Sequence, residues 1–262
     1  MTALLSHSNA VPSATLTMAQ GSATNLDNLK SMQVPVPFAT ITGASFDIRG
    51  TFSARPVRVA AVIATDLQAS ASISLSLLNG ATTVSDVEPF VVTNGTFITS
   101  GGQVYSVRVM QAVEGRSTIL LTLPADVTAT EVRAAVTGAA ATTRIGSLWA
   151  GPAFAAPINA GWTIQHEDFS LVSRVGATPW VNRRARTKSF AATMQPLTKA
   201  EALDMQTLLQ TLGRSAPVLF VPSDKAEDQR LAVYGLLSMP GSVSNSEAEL
   251  YRAEFDVAEI GG

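Results

Sequence analysis

The chain has no cysteine. That excludes disulfides, thiolate nucleophiles and thiolate metal sites together. It has only two histidines, His7 and His166, which leaves little material for a base or an imidazole metal site. Charged residues make up 15% of the chain, well below the roughly 25% of ordinary globular proteins. The formal net charge is −2, so no basic field exists to draw in nucleic acid, and no nucleic-acid specificity is expected. The longest apolar run, residues 59–64, is far short of the roughly 20 residues a membrane helix needs, so no membrane insertion is expected. The opening M-T-A-L-L-S-H-S-N-A-V-P has no basic region and no long apolar core, so it does not read as a signal peptide. A soluble protein made in a cytoplasm is the expectation.

What stands in place of charge is Ala, Ser and Thr. Such a surface either suits burial against other copies or follows the base composition of the gene. Apolar residues reach 46%, enough for a real core.

Strand signals recur at short spacing. The stretch A-S-F-D-I-R alternates, with Phe46 and Ile48 on one face. Residues 57–64 are β-branched and nearly all apolar, which predicts a strand covered on both faces. Residues 71–78 alternate strictly, Ile73, Leu75 and Leu77 against Ser72, Ser74 and Ser76, and then meet the turn pair Asn79-Gly80. Further strands are predicted at 38–41, 90–92, 97–99, 104–110, 117–123, 131–137 and 145–149, punctuated by Gly50, Pro56 and Pro124. Eight or nine short strands without a helix between them predict a sandwich or jelly roll.

The second half differs. Strands are predicted at 162–166, with 169–175 as an extension, and at 180–194. One helix is clear over 199–212. Thr198-Lys-Ala-Glu201 is a capping box, Ala202, Met205, Leu208, Leu209 and Leu212 form an apolar stripe, and Gly213 stands at the αL cap position. A short buried strand at 217–222, a charged loop at 224–230 and closing strands at 231–237 and 249–260 follow. The expected division is an N-terminal arm at 1–24, a sandwich at 25–148, a linker at 149–160 and a second β domain at 161–262.

No catalytic motif appears. His166-Glu167-Asp168 fails H-E-x-x-H because Ser170 occupies the second histidine's place. There is no G-x-S-x-G, no Gly-rich loop opening a helix with Lys, and no acidic calcium loop. Two carboxylates brought together only by the fold, as glycoside hydrolysis uses, stay open at this level. The expectation is no enzyme, no metal and no cofactor.

The strongest electrostatic feature is the basic run Arg183, Arg184, Arg186 and Lys188. Three readings stand: a solvated edge that blocks aggregation, a contact with another subunit's Glu167 and Asp168, or a sugar or phosphate site. Trp149, Trp162 and Trp180 fall around the predicted seam, either as core and interface anchors or as a sugar-stacking platform.

Several stretches together resemble tail proteins of long-tailed bacteriophages. They are T-R-I-G-S-L-W-A-G-P-A-F, A-G-W-T-I-Q-H-E-D, the basic strand, L-T-K-A-E-A-L-D-M-Q-T-L-L-Q-T-L-G-R-S-A-P-V-L-F-V-P, V-Y-G-L-L and Y-R-A-E-F-D-V-A-E. The first half resembles a discoidin-type, galactose-binding-like sandwich through N-L-D-N-L, L-T-L-P and V-T-A-T-E-V-R-A-A-V, with R-A-A-V where R-I-D-I is usual. The second half resembles the tail-tube-like domain of tube and distal tail proteins, a sandwich with one flanking helix and a long hairpin that packs on the adjacent subunit. The resemblance implies a mainly β chain: a jelly-roll, galactose-binding-like sandwich, then a tail-tube-like sandwich with one packed helix. It implies a virion tail protein, assembled in the host cytoplasm as a homo-oligomeric ring of six or three copies beside tail-tube and tail-tip or hub proteins. It carries over no catalytic residue. The alternative expectation is a carbohydrate-binding module that recognises a host surface glycan.

Overall fold

The computed structural model describes residues 2–31, 38–67, 71–85, 90–91, 99–100, 103–104, 106–110, 117–158, 161–168, 171–175, 178–182, 186–223, 231–238, 241–247 and 249–260. For the strands within 85–110 and 167–186 it is the backbone that is described. The protein is mainly β, with two large antiparallel sheets and one α-helix, Lys199–Leu212.

The N-terminal sheet is organised by two long antiparallel strands, Ala39–Thr65 and Ser117–Thr137. Ser72–Asn79 flanks the second of these, and Thr15–Thr24, Thr142–Ile145 and Ser147–Gly151 flank the first. Gly50, Pro56 and Pro124 do not end strands as the sequence pattern suggested. The ladder slips register between Thr122 and Val127, opposite residues 57–59, and again between Ala129 and Glu131, opposite residues 51–55. Bulges of this kind bend a strand and accommodate proline without ending it. Arg58 covers the slip: its guanidinium donates to the Leu123 carbonyl at 3.2 Å and the Pro124 carbonyl at 2.7 Å. The bent halves enclose one core, in which Phe46, Ile48, Ile73, Leu75, Leu77, Val132 and Val136 meet Val62, Ile119, Leu121 and Leu148. Asn79-Gly80 makes the expected hairpin turn into Thr82–Ser85.

The second sheet runs in the order Ala153–Pro157, Thr2–Ser6, Pro217–Val221, Val233–Leu237, Leu250–Glu259, Arg186–Leu197, Trp162–Asp168, with Ser242–Glu247 on Leu250–Glu259. Ile158, just past the first strand of that order, bridges Gln195 in parallel, so the sheet curls onto itself around a second core. The helix closes this core with Ala202, Met205, Leu209 and Leu212. Both halves of the capping box form: Glu201 N donates to Thr198 Oγ1 at 3.3 Å and Thr198 N to Glu201 Oε2 at 2.8 Å. Gly213 ends the helix at φ 54°, ψ −142°, a positive φ that suits glycine but not the αL cap expected.

Two expectations about chain organisation change. Residues 1–24 are more than a docked arm: Thr2–Ser6 is an interior strand of the second sheet, and Thr15–Thr24 pairs with Ala39–Thr65. Residues 149–160 are not simply a linker, since Ser147–Gly151 belongs to the first sheet and Ala153–Pro157 to the second. The chain thus passes between lobes twice, at residues 7–10 and at Pro152, and the two passages are stitched side by side. His7 N donates to the Pro152 carbonyl at 3.2 Å, Ala10 N to the Ala150 carbonyl at 2.7 Å, and Asn9 Nδ2 to the Leu148 carbonyl at 2.9 Å. Asn9 Oδ1 accepts from Ala150 N at 2.9 Å. A Cβ on Gly151 would sit 2.5 Å from the His7 carbonyl oxygen, so only glycine permits this approach.

Between the lobes lies a third apolar cluster. Val59, Ala61, Ile63, Leu120 and Trp149 of the first lobe face Leu4, Leu219, Val221, Ala232 and Tyr234 of the second. The Trp149 indole donates to Ser6 Oγ at 2.9 Å, and its ring meets Tyr234 edge-on at 5.8 Å.

Two outcomes test this architecture. Thr198→Ala should lower the urea-unfolding free energy by about 1 kcal/mol through the lost cap. Residues 161–262 expressed alone should lack a cooperative melt, while the whole chain melts in one calorimetric transition, because the second sheet is completed by Thr2–Ser6 and Ala153–Pro157. A well-folded 161–262 fragment would show those strands to be dispensable.

Candidate functional site

The second sheet ends in an open edge, the strand Trp162–Asp168, antiparallel to Arg186–Leu197. The same two passages of chain continue outward as a second pair, Leu171–Val175 and Thr178–Asn182, joined across residues 176–177. Together they form one long hairpin. The predicted single strand over 180–194 is divided between these two ladders. Among the described residues the outer pair joins no other strand.

Of the predicted contact residues, Arg183 and Arg184 lie outside the described residues. Arg186 and Lys188 open the inner strand of the hairpin. Glu167 and Asp168 lie on its partner within the same chain: Asp168 is directly opposite Arg186, Glu167 opposite Thr187 and His166 opposite Lys188. Asp168 thus has a basic residue of its own hairpin in register with it. The strand also extends through Asp168, where the sequence pattern ended it at His166.

The three tryptophans do not come together. Trp149 is fully buried at the lobe junction. Trp162 sits at the open edge, 42% exposed, and stacks on Phe190 with ring centroids 5.5 Å apart. Phe190 in turn meets Phe220 and Phe220 meets Phe255, so an aromatic row runs from the edge into the core. Trp180 lies in the outer ladder opposite Ser173. Trp149 is a core and interface anchor at the junction.

Strand alternation gives this edge two unlike faces. Trp162, Ala192 and Phe255 are in register on the core side. Thr163, Ala191 and Asp256 are in register on the outer side, with Thr193 opposite Glu254. The outer side is uncovered and forms a shallow trough of about 390 Å³. Glu254 makes an exposed ion pair with Arg252 at 3.3 Å. The Asp256 carboxylate makes no hydrogen bond or ion pair among the described residues. Sequence reasoning missed this trough because its residues come from three strands about 30 to 90 positions apart in the chain; the alternation of the last strand was its only signal.

At the hairpin base lies a buried carboxylate that the sequence pattern did not single out. Glu259 is 7% exposed, and its Oε2 accepts the Lys188 amide at 2.9 Å. Burial raises its pKa above the ordinary carboxylate value, opposed by that hydrogen bond and by the charges of Lys188 and His166. His7, at the lobe crossing, is lowered from its usual value by burial, with Asp126 opposing. On the first lobe Asp47 is held by a two-pronged contact from Arg133, 2.7 to 3.1 Å, and by Arg49 at 3.2 Å. These are structural ion pairs on one strand face. No group of three His, Asp or Glu side chains placed to hold a metal occurs among the described residues. No helix among them is long and apolar enough to cross a membrane.

The Glu259 shift sets a pH dependence. With the folded pKa raised, the native state holds the proton more tightly than the unfolded chain between the ordinary and the raised values. Stability therefore falls as pH rises through that window. Glu259→Gln keeps an oxygen for the Lys188 amide and should remove this slope, read as urea midpoints from pH 4 to 8; an unchanged slope would place the titration elsewhere.

A scan against protein-family models and a search of curated proteins both gave no match to this chain.

Proposed function

We propose that this chain is a structural component of a bacteriophage tail tip or distal tail. Copies form a symmetric ring that continues the tail tube through the second lobe, and the N-terminal sandwich faces outward, where it contacts the host surface. The phage assignment rests on the resemblance of the stretches named above. The structural reading rests on one observation: the hairpin continues past its sheet as a two-stranded ribbon that joins nothing else among the described residues. A two-stranded ribbon alone is marginal in water, and a neighbouring sheet is its natural support. A contact between two different surfaces of identical copies is heterologous and closes into a ring when the rotation permits.

The rest of the molecule supports an assembly role. The lobes are locked by a buried apolar cluster, so placing one lobe in a ring also sets the other. In such a ring the chain's neighbours are tail-tube and hub proteins, and its location is the virion tail.

Replacing residues 169–185 by an Asn-Gly turn removes the ribbon and leaves both cores intact. The expected outcome is wild-type melting with loss of the ring, read by native mass measurement and electron microscopy of full-length protein. A single copy per particle, or a shortened variant that still closes rings, would overturn the reading.

A further inference from the structure

We propose that the cleft between the helix and the strand Ser242–Glu247 is a docking groove for an extended, carboxylate-bearing peptide segment of a partner protein. The groove lies on the second lobe and needs neither the hairpin nor a ring. It encloses about 360 Å³, within the range of ligand sites. Gln206, Gln210 and Arg214 line it from the helix side, Gly241 and Val243 from the strand side, and Leu209 lies between them.

The helix wall is a row of unused polar groups. Gln206 and Gln210 are one turn apart, and Arg214 follows just past the helix end on the same wall. All three are exposed, and their side chains make no hydrogen bond or ion pair among the described residues. Four-residue steps along a helix measure about 6 Å. Alternate residues of an extended chain repeat at about 6.7 Å. The row therefore keeps step with an extended peptide laid beside it. A glutamine amide donates to a carbonyl and accepts from an N–H, the two groups that each peptide unit offers. Arg214 adds a guanidinium fork that takes a carboxylate, and the lining holds no carboxylate of its own to compete for it.

The strand wall supplies main chain. Ser242–Glu247 pairs with Leu250–Glu259 and with no second strand among the described residues, which leaves it one edge for an added strand. Leu209 and half-buried Val243 give an apolar surface for a side chain of the peptide. Gly241 lets the two walls meet at the strand's start: a Cβ there would sit 2.6 Å from Leu209 Cδ1. No aromatic ring lines the cleft, which favours a peptide over a sugar that would need one to stack on.

The test uses full-length protein and the fluorescein-labelled peptide Thr-Val-Thr-Val-Thr-Asp, followed by polarisation at low salt up to millimolar protein. The same peptide with Lys in place of Asp should bind about tenfold more weakly, and Arg214→Glu should reverse that order. A version N-methylated at alternate amides should bind about tenfold more weakly or worse, because it cannot join a strand edge. Gln206→Ala with Gln210→Ala should weaken the Asp and Lys peptides alike, by about tenfold, with an unchanged melt because both side chains are exposed. If the Asp peptide does not bind, or binds equally to the Arg214 and glutamine variants, there is no such groove, and the ring reading is untouched. If an oligogalacturonate binds in an Arg214-dependent way and the peptide does not, the occupant is a sugar and the proposal falls.

Discussion

The hydrogen bond from the Trp149 indole to the Ser6 hydroxyl marks the constraint on which the molecule depends: the chain crosses between its two sheets twice at one place. Ser6 also donates to the Pro152 carbonyl, so one hydroxyl ties the incoming strand to the outgoing one. Asn9 repeats the arrangement one turn further on, taking the Ala150 amide and giving to the Leu148 carbonyl. Buried main-chain groups at a crossing between sheets have no ladder to satisfy them, and these side chains supply what the ladders do not. Remove the first nine residues and the second sheet loses an interior strand, while the first lobe loses the anchor of Ala10 and Val11 in its core.

The apolar interface behind that crossing follows from two strands, one in each lobe. An antiparallel strand that faces water on one side alternates; one that is apolar throughout needs cover on both sides. The run at 57–64 and the run at 217–221 do not alternate. Each gives one face to its own core, Val62 in the first and Phe220 in the second. Each gives the other face to the junction, Val59, Ala61 and Ile63 against Leu219 and Val221. Domain contact was thus written in the sequence as a surplus of hydrophobicity, although neither run names its partner.

Other features were legible to different depths. The helix was readable to the residue because capping box, stripe and terminal glycine all act within a few positions. The serine-alternating strand at 72–79 and its Asn-Gly turn were readable for the same reason. The long strands were not. Proline and glycine ordinarily punctuate, and nothing local tells that a register slip with Arg58 feeding two carbonyls will carry the strand past Pro124. The N-terminal strand was missed because T-A-L-L-S is too short to show a period, and its place is set by partners about 150 to 215 positions away. At the hairpin, the cationic run was plain. Sequence shows charge but not register, so the placement of Asp168 across from Arg186 was not legible in it.

The charge-poor, hydroxyl-rich composition acquires a physical meaning on the sheet faces. Ser72, Ser74 and Ser76 line the outer side of one strand in the first lobe, and Thr163, Ala191 and Thr193 line the outer side of the second sheet's edge. Long charged side chains would keep such faces apart from any neighbour, at a cost in side-chain entropy whenever they were covered. Short hydroxyls satisfy water when the face is open and a backbone or side chain when it is covered, and they lose little rotamer freedom in the exchange. Faces of short hydroxyl and methyl side chains can therefore be covered by a neighbour at little cost in side-chain entropy. Here the buried carboxylates Asp47 and Glu259 are each spent on holding strands, the first by two arginines and the second by the Lys188 amide.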